Sequence, residues 1–274
     1  APKVAQAGRP ADVDAGDPTV QVVDQLLQET GVRRGFGLVV GLEDGRLVET
    51  LARRSELTLY CVDPDAEKVE RVRERMRAAG LYGHRVIVHQ FEFDAIPYAN
   101  YFANLITSEQ REIGGTTGVD PAVIARHLKP VGGVFALAGT AGGTTGDASA
   151  ATEALQKSGL EDQSSLRTAA GWALLERGAL PGAGSWSHQY GNPANTAISD
   201  DVRVRGGLGV LWYGDPGPGD MVNRHDGAVG PLSVNGRLFV QGDTTIKAYD
   251  AYNGLHLWTY ENPDALRTGV FQNQ

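Results

Sequence analysis

Residues 36–63 read FGLVVGLEDGRLVETLARRSELTLYCVD, and this stretch decides the fold. Phe36–Val40 is a short apolar run of strand type, closed by the turn Gly41-Leu42-Glu43-Asp44-Gly45. Leu47, Val48 and Leu51 then recur at helical spacing over Arg46–Arg54, and a second apolar run, Leu57–Val62, ends on Asp63. Strand, glycine turn, helix, strand makes a βαβ unit, in which the two strands run parallel. Glycines at such a turn let the backbone bend tightly and approach a ligand. The helix N-terminus behind them adds free N–H groups and a partial positive charge. An acid about twenty residues further on, at the end of the second strand, can take both hydroxyls of a ribose, and Asp63 has that place. Because Pro64 follows, Asp63 has a second reading, as the cap of the next helix.

Outward from this unit the same rhythm continues. On its N-terminal side, Asp17-Pro18 supplies a cap and a pre-set first residue for a helix carrying Val20, Val23, Leu26 and Leu27, which Gly31 can close. On its C-terminal side, Val69, Val72 and Met76 share one face of a helix over Ala66–Ala79, ended by Gly80. Strands are expected at Arg85–His89, Ala103–Thr107 and Val134–Ala138, with a helix over Pro121–Leu128 between the last two. The flexible stretch GTAGGTTGDASA (139–150) leads to a short helix near Ala151–Lys157. Leu166–Ala169 and Trp172–Arg177 then form an antiparallel pair joined at Ala170-Gly171. The sum is an α/β domain over residues 17–177, with a mostly parallel seven-stranded sheet and helices on both faces. Residues 1–16, small, polar and aperiodic, read as an arm.

After Gly178 the composition turns to Gly, Pro, Asn, Asp and Trp, without helical periodicity. Val234–Glu261 reads as three strands, VNGRLFVQ, TIKAYD and LHLWTYE, with turns at Gly242-Asp243 and Asn253-Gly254. One unit of this kind is present, without an internal repeat.

The formal charge of −8 lacks the basic face that non-specific nucleic-acid binding needs. Apolar runs of about five residues offer no membrane span. The single cysteine, Cys61, sits inside a strand and reads as buried filler. The six histidines lack metal-ligand spacing and read as surface or turn residues, so no metal is expected.

With these elements in place, GLVVGLEDGRLVETLARR (37–54) resembles the first motif of class I S-adenosylmethionine-dependent methyltransferases, a strand followed by a G-x-G-x-G turn on a Rossmann-type sheet. Gly41 and Gly45 match its outer glycines, and Asp63 matches the acid that holds the ribose. FDAIPYANYFANLI (93–106) is similar to the next signature, which implies Asp94 beside the adenine amino group. LKPVGGVFAL (128–137) resembles the usual lead-in to the fifth strand. The resemblance implies S-adenosylmethionine as cofactor, with Gly41, Glu43, Gly45, Asp63 and Asp94 in its pocket, and methyl transfer to an acceptor that the sequence does not name. Two positions depart from the pattern. Glu43 replaces the central glycine, and an unpaired like charge beside the methionine carboxylate costs about 1–3 kcal/mol. Turning away, or meeting the methionine ammonium, relieves Glu43 of that cost. Asn104 stands where the family commonly carries Asp. No catalytic set is evident; Glu109, near the end of the fourth strand, faces the same region and reads equally as a surface carboxylate. A domain that has lost its ligand and serves as a scaffold is the competing reading.

NGRLFVQGDTTIKAYDAYNGLHLWTYE (235–261) resembles one blade repeat of quinoprotein-type (PQQ-like) β-propellers, with Ala248, Asp250, Gly254 and Trp258 on its pattern. WSHQYGNPANTAISDD (186–201) and LWYGDPGPGDMVNRHDGAV (211–229) look like the opening segment of such propellers. The resemblance makes residues 178–274 about one blade plus that segment, and implies partners: the remaining blades, from the same parent protein or a companion chain. No PQQ ligands are identifiable in this chain, and an accessory role beside a quinoprotein oxidoreductase is a further alternative. The pairing of the two domains is similar to multidomain proteins of planctomycete-type bacteria, which implies export.

Overall fold

The computed structural model describes residues 17–110, 119–139, 147–160, 164–215, 221–222 and 229–263. The expected arm (1–16), most of the 139–150 stretch, and parts of the 211–229 segment, including His225, lie outside the described residues. The chain divides into two compact units, with the boundary between Arg177 and Gly178.

In the first unit, α1 (Pro18–Thr30) begins where the Asp17 side chain accepts from the Thr19 N–H at 2.8 Å. It ends at Gly31, whose φ of +68° suits a residue without a β-carbon. There follow β1 (Arg34–Val40), α2 (Arg46–Arg54), β2 (Glu56–Asp63), α3 (Ala66–Ala78) and β3 (Val86–Gln90). Next come β4 (Leu105–Thr107), α4 (Pro121–Ile124), β5 (Gly133–Ala138), α5 (Ser149–Gln156), β6 (Ser164–Ala169) and β7 (Trp172–Arg177). The sheet order is β3-β2-β1-β4-β5-β7-β6. β7 pairs antiparallel with both neighbours, and the other pairings are parallel. Strand order reverses between β1 and β4, both of which flank the start of the glycine turn.

The central strands are apolar throughout because both faces are covered. Val39, Leu59 and Cys61 point into one core with Leu26, Leu27, Leu51, Val72 and Met76 of α1, α2 and α3. Leu38, Val40, Val62 and Phe135 point into the other, with Ile124, Leu128, Ala151 and Leu155.

That second face is covered unevenly. The β3–β4 connection carries no α-helix, only a 3₁₀ turn at Phe93–Ala95. Aromatic rings cover the sheet instead: Tyr98 and Phe102 meet Tyr60 of β2 edge-on at 5.3 and 5.5 Å between centroids. The expected helix over Pro121–Leu128 is α4 followed by a 3₁₀ turn, Ala125–His127. It stops because Leu128 goes extended ahead of Lys129-Pro130. The expected strand Ala103–Thr107 is shorter as well. Asn104 is buried, its side chain accepting from the Phe36 N–H at 3.0 Å and its own N–H donating to the Phe36 carbonyl at 2.7 Å. Asn104 is thus a structural tie to β1 through its oxygen, an acceptor that Asp would also offer.

In the second unit, β8 (Leu232–Val234), β9 (Arg237–Gln241), β10 (Thr245–Asp250) and β11 (His256–Glu261) form an antiparallel meander in the order β11-β10-β9-β8. The three expected strands become four, because VNGRLFVQ folds back on itself. Asn235 and Gly236 both take positive φ (49° and 70°), the requirement of a tight two-residue hairpin turn. Asp250 accepts from the Tyr252 and Asn253 N–H groups and shapes the next turn. There Gly254, at φ +72°, lies against the Trp212 ring. The Trp212 indole N–H donates to the Ala251 carbonyl at 3.0 Å. The sheet is a single layer, with no propeller ring among the described residues.

Candidate functional site

The glycine turn is held from below by one carboxylate and from the front by another. Gly41 and Gly45 both adopt left-handed φ, +73° and +77°, and a β-carbon at Gly41 would meet the Gln110 side chain at 2.8 Å. The Gly41 N–H donates to the Val62 carbonyl, tying the turn to the end of β2. Asp63, 2 % exposed, spends one oxygen on the Leu42 N–H (2.7 Å) and the other on the Asp65 N–H (2.8 Å). Asp65, and not Asp63, caps α3 through Glu67 and Lys68. Asp63 therefore fixes the turn against β2, a third role that neither reading of the sequence contained.

Glu43 turns outward. Its carboxylate pairs with Lys68 at 3.1 Å and is half exposed, so its charge leaves the turn. In front of the turn stands Glu109, just past the end of β4. Its Oε2 accepts from the N–H groups of Glu43 (2.8 Å) and Gly45 (3.1 Å), and its Oε1 from Leu47 (3.0 Å). Gly45 has no side chain with which to cap α2, so Glu109 performs that capping from another strand. Burial pushes the Glu109 carboxyl above the ordinary carboxylate range, more than the three N–H bonds pull it down, and nearby Asp44 pushes the same way.

Beside this arrangement opens a cleft of about 600 Å³. Pro18, Thr19 and Val22 of α1, with Leu47, Ala138 and Trp172, form one wall. Glu43, Asp44, Arg46, Ser108, Glu109 and Gln110 form the polar rim. Asp44 and Arg46 pair with each other at 3.0 Å. Gln110 Oε1 is buried and has no hydrogen-bond partner among the described residues.

The structure thus brings Gly41, Glu43 and Gly45 together at the switch point, with Asp63 directly beneath. Asp94 sits exposed in the 3₁₀ turn after β3, and neither it nor Asp63 lines the cleft. Glu109 is no surface carboxylate but the centre of the site, and its place just after a switch-point strand was the available signal. The α1 wall carried no signal, since it arises only when α1 docks.

The histidines also depart from expectation. His127 is fully buried, with Nδ1 donating to the Ala99 carbonyl at 3.1 Å and Nε2 unpartnered among the described residues. Burial depresses it to about 4. His89 is partly buried and bonds to the Tyr98 hydroxyl at 2.7 Å. Among the described residues, no three His, Cys, Asp or Glu side chains are grouped to hold a metal ion. No helix among them is long and apolar enough to cross a membrane.

The chain matches no known family profile and no curated protein sequence. Among solved structures it is similar to a proposed S-adenosylmethionine-dependent methyltransferase from Methanococcus maripaludis (16 % identity, TM-score 0.48), over 60 % of this chain and 86 % of that one. It is also similar to a SAM-dependent methyltransferase from Aquifex aeolicus (17 % identity, TM-score 0.45), over 58 % and 93 % of the two chains. A third is a proposed sarcosine dimethylglycine methyltransferase from Galdieria sulphuraria, at 25 % identity and TM-score 0.37. There the match covers 43 % of this chain and less than half, 45 %, of the other.

Proposed function

We propose that residues 17–177 form an S-adenosylmethionine-binding domain of the methyltransferase kind, with the adenosyl group lying over the Gly41–Gly45 turn. One observation carries this reading. Two left-handed glycines open α2 at the point where strand order reverses, which is where open α/β sheets bind nucleotides. Gly41 and Gly45 are themselves buried, and Glu43 and Asp44 between them are exposed at the edge of the cleft. In this reading the turn supplies the bed of the nucleoside end. The Asp63 oxygens are already spent on the Leu42 and Asp65 N–H groups, and neither Asp63 nor Asp94 lines the cleft, so neither is given a contact to the ligand. The residues do not fit the tail end in its usual form, because Glu109 fills the N–H groups that would receive a carboxylate. When bound, the sulfonium supplies an electrophilic methyl group. The chain's part in transfer is alignment of the acceptor in the cleft and exclusion of water by Leu47, Val22 and Trp172. Isothermal titration of S-adenosylhomocysteine tests the reading. Micromolar binding that falls at least tenfold in Gly41→Val is expected, and no heat at millimolar ligand from a folded chain overturns it.

We further propose that residues 178–274 are about one blade of a quinoprotein-type β-propeller, preceded by its opening segment. The meander order supports this, as do Ala248, Asp250 and Gly254, which build its core and turn. Trp258 and Tyr260 on β11 remain 43 % and 62 % exposed, the surface that a neighbouring blade would cover. Acrylamide quenching of Trp258 is expected to fall once neighbouring repeats are joined. A Trp258 that stays open to the quencher counts against the blade.

A further inference from the structure

In a nucleotide-type turn, the N–H groups at the start of the helix are the natural receptor for a ligand's negative charge. Here the chain supplies that charge itself. Glu109 accepts from three of those groups, which uses three of the roughly four acceptor positions of a carboxylate. The rest of the rim is rich in acceptors. Asp44 lies on the rim, as does Glu43 with its carboxylate turned out to Lys68. Gln110 Oε1 is buried beside Gly41 with no donor among the described residues, and Arg46, the one guanidinium on the rim among the described residues, is already paired with Asp44. A carboxylate entering this space finds no unpaired cation or open N–H group of the turn among the described residues, and meets the Glu109 carboxylate. An ammonium entering it finds the remaining acceptor position of Glu109.

We infer that Glu109 is a specificity-determining residue, and that it selects an adenosyl sulfonium whose tail ends in an amine and carries no carboxylate. The inference rests on the adenosyl-binding reading above and deepens it. Glu109 acts in two ways at once: it holds the turn in its ligand-ready shape through Glu43, Gly45 and Leu47, and it reverses the charge that the turn prefers. The pair with Lys68 keeps Glu43 turned outward, and Asp44 is paired with Arg46, which leaves Glu109 as the acid on the rim not paired with a cation among the described residues.

The test is titration of the full chain with three probes: S-adenosylmethionine, its decarboxylated form, and methylthioadenosine, which has neither amine nor carboxylate. The decarboxylated sulfonium is expected to bind at least tenfold more tightly than S-adenosylmethionine, with methylthioadenosine weaker than the amine. In Glu109→Gln the gap between the first two is expected to shrink at least fivefold. Because the wild-type ranking stands without the variant, a variant that fails to fold leaves the proposal open to refutation. S-adenosylmethionine binding as well as its decarboxylated form overturns the proposal while leaving adenosyl binding intact. So does methylthioadenosine binding more tightly than the amine. Failure of all three probes overturns both readings.

Discussion

Replacing His127 by Phe should remove a specific part of the chain's acid sensitivity. The ring is fully buried and neutral, wedged against Tyr98 and Phe102 at 6.3 and 5.8 Å between centroids. Its Nε2 has no partner among the described residues that could stabilise a second proton. An ordinary histidine takes up its proton near 6.5, whereas this one resists until about 4. The unfolded chain therefore gains a proton first as pH falls, and stability drains away between about 6.5 and 4, then levels off. Each tenfold difference in proton affinity corresponds to 1.36 kcal/mol, so the loss is about 2 kcal/mol between pH 7 and pH 5 and about 3 kcal/mol in full. Burial also depresses His89, and other groups titrate, so the wild-type slope alone is not diagnostic. Urea denaturation of wild type and His127→Phe at pH 7 and pH 5 isolates the contribution. The pH-independent cost of the lost bond to Ala99 cancels in the difference. The variant should lose about 2 kcal/mol less than wild type over that interval. Equal losses, within about 0.5 kcal/mol, would refute the reasoning, as would an NMR titration placing the ring near 6.5.

Three further outcomes follow from the same structure. Asp63→Asn keeps one oxygen for the Leu42 and Asp65 N–H groups but turns a donor toward the other; a loss of about 2–3 kcal/mol is expected, seen as a melting point lower by roughly 5–10 °C. Gly45→Val forces a β-branched residue into φ +77°, with its β-carbon 3.2 Å from Val72 and Arg75. It should destabilise the first unit by about 1–3 kcal/mol and abolish adenosyl binding, read by circular dichroism and titration. Gly236→Val disturbs the tight turn between β8 and β9; amide exchange should quicken in those strands by roughly tenfold while the first unit is unaffected.

The parallel sheet was legible because its elements are local. Asp17-Pro18, Gly31, Gly80 and the runs Leu38–Val40 and Leu57–Val62 mark starts, stops and buried strands within a few residues of chain. The glycine turn was legible for the same reason. What the sequence withheld depends on distant partners. The crossing from β3 to β4 lacks periodicity because Tyr98 and Phe102 cover the sheet singly, as rings on Tyr60, and not as the face of a helix. Asn104 reads only as a departure from Asp, and His127 as a surface or turn residue, until Phe36 and Ala99 are seen to hold them. Glu109 and the turn it caps lie more than sixty residues apart, so its role emerges only when β4 is set beside β1. In the tail, Asn235-Gly236 was a readable hairpin signal hidden inside what looked like one long strand.

The most direct test of the central claim is a crystal structure of the chain with S-adenosylhomocysteine or methylthioadenosine. The account predicts the adenosyl group over Gly41–Gly45, between the ends of β1 and β4, with Asp63 still bonded to Leu42 and Asp65 and Glu109 still bonded to the turn. An adenosyl group bound elsewhere on the chain, or a turn left empty at millimolar ligand, would contradict it.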